Sequence, residues 1–195
     1  MALTPAVFLD KDGTVLQDVP YNVDPARMAF APGARQGVAR LATLGLPLII
    51  ITNQPGIARG MFGLEALQAV RQRLASMFEE EGAALAGFYY CPHLSQAFLP
   101  AHAVPCVCRK PAPGLLLAAA KEHGIDLGRS WFVGDILDDI EAGRRAGCRT
   151  VLIDNGNETE WKAGEWRVPH HRVPDLAAAS RIVADSFECA EGAHA

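Results

Sequence analysis

No stretch of this chain is apolar for long enough to cross a bilayer: Leu46 to Ile51, one of its longest apolar runs, has Pro47 inside it. No basic segment precedes the first apolar stretch, and Asp10 breaks that stretch. The N-terminus therefore does not read as a signal peptide, and the expected compartment is the cytoplasm. Positive charge is not in surplus either. Lys and Arg number 18 against 22 Asp and Glu, and the net charge of −4 offers no electrostatic case for nucleic acid or an anionic membrane. A small anionic substrate would need its own local cations. Internal repeats, low-complexity tracts and linkers are missing as well. The 195 residues, 50% hydrophobic and 21% charged, are expected to form one domain over 1–187, with 188–195 a disordered tail. Cysteine is scarce at five, yet three crowd between Cys91 and Cys108. In a reducing compartment such clustering points to metal rather than to disulfides.

The stretch Val7-Phe8-Leu9-Asp10-Lys11-Asp12-Gly13-Thr14 organises the rest. Its apolar start suits a short buried strand, and it runs directly into two carboxylates. Extended residues two apart share a face, so Asp10 and Asp12 are expected to converge while Lys11 faces away. Gly13 allows the sharp turn that follows. Two acids at the carboxyl end of a buried parallel strand sit where open α/β sheets bind ligands, and an oxygen-rich pair of this kind suits Mg2+. Taken alone, the same residues also describe an ordinary surface turn.

Further along, Val15 to Pro32 reads as a loop that could touch substrate, too short for an inserted cap domain. Val38, Leu41 and Leu44 follow helical spacing, and Leu46 to Ile51 forms the second strand. It ends in Thr52-Asn53-Gln54-Pro55-Gly56, where a hydroxyl and free N–H groups could hold a phosphate oxygen, although taken alone the stretch is better read as a plain capped turn. Leu64 to Phe78 carries the apolar stripe of a long helix, and Gly87 to Tyr90 reads as a third strand.

That strand leads into Cys91-Pro92-His93, twelve residues, then Cys106-Val107-Cys108. Three thiolates and one imidazole complete a tetrahedral zinc set with no position left for water or substrate. Cys91, His93, Cys106 and Cys108 are therefore read as a structural zinc clip, and His102 as solvated. Arg109 and Lys110 follow at once, so the clip would aim two cations at one place. After a helix over Gly114 to His123, Trp131 to Val133 forms a fourth strand ending in Gly134-Asp135, where Asp135 can complete the Mg2+ site. Asp138 and Asp139 stay ambiguous, because acids in a helix's first turn are favoured by its dipole alone. Thr150 to Ile153 is a fifth strand, Asn155 to Pro174 a polar loop whose His170 and His171 have no metal role, and Asp175 to Val183 a closing helix. Cys148 is assigned to the core and Cys189 to the tail.

Strands alternating with helices imply an α/β fold, a doubly wound parallel sheet in three layers. The motifs Asp10-x-Asp12-Gly13-Thr14, Thr52-Asn53, Lys110 and Gly134-Asp135-x-x-x-Asp139, in that order, resemble the haloacid dehalogenase superfamily through Ile153. The zinc set followed by Arg109-Lys110-Pro111 narrows the resemblance to the branch of D-glycero-D-manno-heptose 1,7-bisphosphate 7-phosphatases and histidinol phosphatases. The turn from Gln54 to Gly60 and the pair Tyr89-Tyr90 are more similar to the heptose enzymes. Lys11 stands where arginine is frequent, and Pro55 where serine is frequent. The resemblance implies a Mg2+-dependent phosphatase, without a large cap domain, working through an aspartyl-phosphate. In it Asp10 is the nucleophile, Asp12 the acid and base, and Thr52 and Lys110 hold the phosphoryl oxygens. Mg2+ lies on Asp10, the Asp12 carbonyl and Asp135. Asp18, Tyr21, Thr52, Asn53, Gln54, Pro55 and Lys110 are expected to meet the substrate, with Arg109 on a second phosphate. The expected partner is a small phosphorylated sugar, with no nucleic acid and no membrane, acting on a monomer. The alternatives are histidinol-phosphate phosphatase activity, a non-catalytic binding protein on the same fold, and, more distantly, a zinc-dependent nucleic-acid module.

Overall fold

A computed structural model describes residues 3–95 and 97–192. Six strands, β1 (Val7–Leu9), β2 (Leu48–Asn53), β3 (Leu85–Cys91), β4 (Trp131–Gly134), β5 (Arg149–Ile153) and β6 (His171–Val173), form one sheet in the order β3-β2-β1-β4-β5-β6, with every pairing parallel. The first five lie where the apolar runs place them. The sixth is a correction: it falls at the end of the polar segment read as a loop, paired through Val151 to Ile153 of β5.

Because the sheet is parallel, both faces need cover and its strands read as unbroken apolar runs. Alternation sorts them. Val7 and Leu9 pack with Ile50, Val133 and Val151 under α1 (Ala34–Ala42), α3 (Leu64–Glu79) and α6 (Leu176–Gly192). Phe8, Ile49, Ile51 and Phe132 face the other way, onto α4 (Gly114–His123) and, through Ala142, α5 (Leu137–Ala146). These are the three layers of the doubly wound architecture. The stripe Leu67, Val70, Leu74, Met77 and Phe78 is the buried side of α3, as its spacing requires. One short helix, α2 (Pro55–Ala58), follows β2 directly. The closing helix is longer than its sequence suggests, continuing to Gly192 past the domain end expected at 187; residues 193–195 of the expected tail lie outside the described residues.

Parallel pairing puts all the carboxyl ends on one edge of the sheet. Leu9 pairs with Ile50 and with Val133, so Asp10, Thr52 and Asp135, each one or two residues further on, are neighbours in space. Among the described residues no cap domain stands over that edge: between β1 and α1 there are a single turn of 3₁₀ helix at Pro25–Arg27 and isolated bridges of Leu16 with Asp12 and Phe30. Among the described residues no helix is long and apolar enough to cross a membrane.

Candidate active site

Asp10, Asp12, Asp18, Thr52, Asn53, Lys110, Asp135, Ile136 and Asn157 line a cavity of about 210 Å³ at this edge. At its floor lies the Lys110 ammonium, with Nζ 2.5 Å from Asp10 Oδ1, 2.6 Å from Asp139 Oδ1 and 3.2 Å from the carbonyl of Ile51. The ammonium donates to Asp10 and to the Ile51 carbonyl, and Asp139 adds a second negative charge as an ion pair. All three side chains are buried, and Asp10 and Lys110 meet solvent only through the cavity that they line. Burial alone would pull the lysine's pKa down, but the carboxylates of Asp10 and Asp139 outweigh it and hold the pKa above its ordinary value. Lys110 is therefore a fixed positive charge against the proposed nucleophile.

The carboxylates show the opposite stress. Burial, with Asp139 adding to it and Lys110 opposing it, pushes Asp10 up to about 6. Burial and then the charges of Asp10 and Asp139 push Asp135 up to about 8. One oxygen each from Asp10, Asp135 and Asp139 lies within 4.8 Å of the others. One lysine does not neutralise three buried acids, and the donors are all oxygen, so the set fits Mg2+. Asp139 has one oxygen on Lys110 and the other accepting from the N–H of Ile136 at 3.3 Å, whereas Asp10 gives Lys110 only one of its oxygens, so Asp10 and Asp135 are the side chains better placed for a cation. Gly13 sets their approach. Its φ is +80°, and a Cβ there would sit 2.0 Å from Asp135 Oδ2 and 2.4 Å from Asn157 Nδ2. Gly134 is needed in the same way, since its Cβ would come 2.3 Å from that of Asp139.

Lys11 departs from the alternation expected of it. Instead of facing away it is 2% exposed, and its Nζ is 2.5 Å from Asp12 Oδ1. The alternation rule holds only for extended backbone, and the strand stops at Leu9, with Lys11 already in a turn. Gln54 Nε2 donates to the other oxygen of Asp12 at 3.2 Å and to Thr52 Oγ1 at 3.0 Å. Burial raises the pKa of Asp12, with Lys11 opposing the rise.

The residues expected to meet the substrate separate into groups. Asp18 and Asn53 line the central cavity and also an adjoining one of about 240 Å³, where Tyr21, Gln54 and Pro55 join them. Arg109 does not line the central cavity; with Lys110 it lines a third one of about 300 Å³, its guanidinium donating to the carbonyl of His93 at 3.3 Å. Asn53 also steadies the lysine. Its carboxamide holds the Lys110 backbone at both ends, donating to the carbonyl at 3.2 Å and accepting from the N–H at 3.1 Å.

The four expected zinc ligands come together. Cys91 Sγ lies 3.1 Å from Cys108 Sγ, 3.7 Å from Cys106 Sγ and 3.6 Å from His93 Nδ1, which is 3.2 Å from Cys108 Sγ. Ligands about 2.3 Å from a tetrahedral zinc stand about 3.7 Å apart, so the set fits that ion. His102 is beside His93, with ring centroids 6.0 Å apart, and outside the set. His170 also has a non-metal partner, its Nδ1 accepting from the N–H of Thr150 at 2.9 Å.

Some site residues carry no assignment from sequence. Asp139 is the second carboxylate on Lys110; it stands in the motif Gly134-Asp135-x-x-x-Asp139, but its place in a helix's first turn leaves its role unassigned in the sequence. Asn157 Nδ2 donates to Asp135 Oδ2 at 2.6 Å, and Asn155 Nδ2 to the carbonyl of Gly13 at 2.8 Å. Glu158 accepts from the N–H of Leu137 at 2.6 Å, at the start of α5. The pattern of two asparagines and an acid after a strand is too common to mark them.

A HAD-hydrolase-like family model matches residues 107–179. A Mesorhizobium japonicum protein named D-glycero-beta-D-manno-heptose-1,7-bisphosphate 7-phosphatase is 42% identical over 156 residues, 78% of this chain and 70% of that protein. A protein of the same name from Yersinia pestis is 38% identical over 153 residues, 78% of this chain and 81% of the relative. The crystal structure of D,D-heptose 1,7-bisphosphate phosphatase from B. bronchiseptica, complexed with magnesium and phosphate, superposes with a TM-score of 0.80 at 31% identity, covering 94% of this chain and 99% of that one.

Proposed function

This chain belongs to the haloacid dehalogenase-like hydrolases, among the heptose-1,7-bisphosphate 7-phosphatases, and from that premise we propose that it removes the 7-phosphate of D-glycero-D-manno-heptose 1,7-bisphosphate through an aspartyl-phosphate on Asp10. The observation that carries the reading is the buried Asp10–Lys110–Asp139 set, opening into one cavity with Asp12, Thr52 and Asp135.

Phosphate monoesters resist hydrolysis, so the barrier must be divided and its charge stabilised. Lys110 keeps Asp10 ionised and aimed, and presents positive charge where the phosphoryl oxygens would arrive. Asp10 Oδ attacks phosphorus as the bond to the sugar oxygen breaks. Asp12 gives a proton to that departing oxygen, then takes one from the water that hydrolyses the acyl phosphate and regenerates Asp10. Thr52 donates its hydroxyl to a phosphoryl oxygen. Mg2+ on Asp10 and Asp135, with the Asp12 carbonyl, would offset the negative charge of the phosphate. The zinc clip is structural: it holds the loop that carries Arg109 and Lys110. Arg109 has the planar fork for the second, non-reacting phosphate, and Asp18, Tyr21 and Pro55 border the sugar. The protein acts as a cytoplasmic monomer on this small substrate, without nucleic acid or membrane.

Phosphate release with Mg2+ from heptose 1,7-bisphosphate and from histidinol phosphate tests the substrate. A kcat/KM at least a hundredfold higher for the bisphosphate, about 2.7 kcal/mol, is the expected result. Preference for histidinol phosphate would keep the chemistry and replace the substrate. Turnover of neither would overturn the reading.

A further inference from the structure

We infer that Gln54 is a positioning residue that locks the acid–base Asp12 and the phosphoryl ligand Thr52 into one arrangement, with Lys11 completing the hold on Asp12; the inference rests on the phosphatase reading above. Gln54 is 5% exposed, and its carboxamide nitrogen has two protons and two acceptors, Asp12 Oδ2 at 3.2 Å and Thr52 Oγ1 at 3.0 Å. With Asp12 ionised, reversing the amide would point its oxygen at a carboxylate, which favours the nitrogen facing Asp12. The residue is anchored behind as well. Its own N–H donates to the carbonyl of Cys91 at 2.8 Å, and Pro55 follows it into α2. Both of its protons being in use, Gln54 has only its carboxamide oxygen left to offer the adjoining cavity that it lines.

Two consequences follow for the reaction. Thr52 Oγ1 accepts from Gln54, so its own proton is directed elsewhere, and a phosphoryl oxygen in the cavity is the acceptor available to it. Asp12 has each oxygen on a different buried donor, Lys11 at 2.5 Å and Gln54 at 3.2 Å, which fixes the carboxyl plane. A group that must deliver a proton to one oxygen and then take one from a water works only within hydrogen-bond reach of both. Neither Lys11 nor Gln54 needs to touch substrate to control that reach.

The test uses the need for the proton. An alkoxide leaving from the sugar requires Asp12 in the first step, whereas nitrophenolate leaves without it, and kcat/KM reports the steps through phosphoenzyme formation. Full-length Gln54→Met is assayed with Mg2+ on heptose 1,7-bisphosphate and on p-nitrophenyl phosphate. We expect a loss of about a hundredfold on the sugar and under tenfold on the aryl ester. A ratio of the two losses of tenfold or more supports the positioning role. Any smaller ratio overturns it, because a structural defect lowers both together. Should Gln54→Met fail to fold, Gln54→Glu keeps the size, removes the donor and is read by the same ratio. Wild-type protein that turns over neither compound refutes the phosphatase reading instead.

Discussion

Lys110 is where one side chain decides most. Its ammonium is buried among Asp10, Asp139 and the carbonyl of Ile51, so Lys110→Met leaves two carboxylates facing each other without a counter-charge. Breaking a buried ion pair from one side costs about 3–5 kcal/mol. We predict a loss of that order in denaturant unfolding, with phosphate release falling at least a thousandfold. Unchanged stability would mean that the two acids find another partner. Lys110 itself is legible in the sequence because it directly follows a recognisable ligand set. Its partner Asp139 is not, since an acid in the first turn of a helix looks the same whether it serves the helix dipole or a buried lysine. Lys11 escapes the sequence pattern for a different reason: period-two alternation does not extend past the end of the strand at Leu9.

Among elements, the segment between β3 and α4 depends most on something other than packing. The one regular piece described within it is a 3₁₀ turn at Pro100–His102, yet it ends in Arg109 and Lys110. Asn53 grips the Lys110 backbone, and Cys91, His93, Cys106 and Cys108 lie close enough together to hold the segment if they share the proposed zinc. Cys106→Ser is therefore expected to lose zinc by metal analysis and at least tenfold in kcat/KM, while far-UV dichroism still reports the sheet and helices. Zinc absent from the wild-type protein would contradict the clip. That Cys91, His93, Cys106 and Cys108 come together is readable because side chains of metal-ligand type announce themselves by spacing. The strand His171–Val173 does not, being three residues long, mostly exposed and without an apolar pattern. That the helix following it runs on to Gly192 is likewise not legible, because local spacing does not fix where a helix ends.

At the scale of the whole molecule, parallel strands gather acids from separate parts of the chain on one edge, and their burial links metal binding to pH. Asp10 and Asp135 have folded pKa values raised to about 6 and about 8, above those of unfolded carboxyls. The metal-free fold thus binds more protons than the unfolded chain. Its stability from these groups is full below about pH 4 and is lost as pH rises through about 6 and then about 8. Mg2+ competes with those protons. The rise in Tm on adding Mg2+ should consequently be larger at pH 8 than at pH 5.5, and an equal or smaller rise would remove these two carboxylates as its ligands. The shared edge is legible because buried parallel strands are continuous apolar runs ending in polar clusters. The division of the substrate-facing residues among adjoining cavities is not, since it depends on how loops from distant strands pack.

The covalent step is tested most directly by acid-quenching the protein during turnover of heptose 1,7-bisphosphate with Mg2+ and mapping the phosphoryl group by peptide mass spectrometry. The account predicts a hydroxylamine-labile adduct on the peptide containing Asp10, absent from Asp10→Asn. An adduct on any other residue, or turnover that persists in Asp10→Asn, would contradict it.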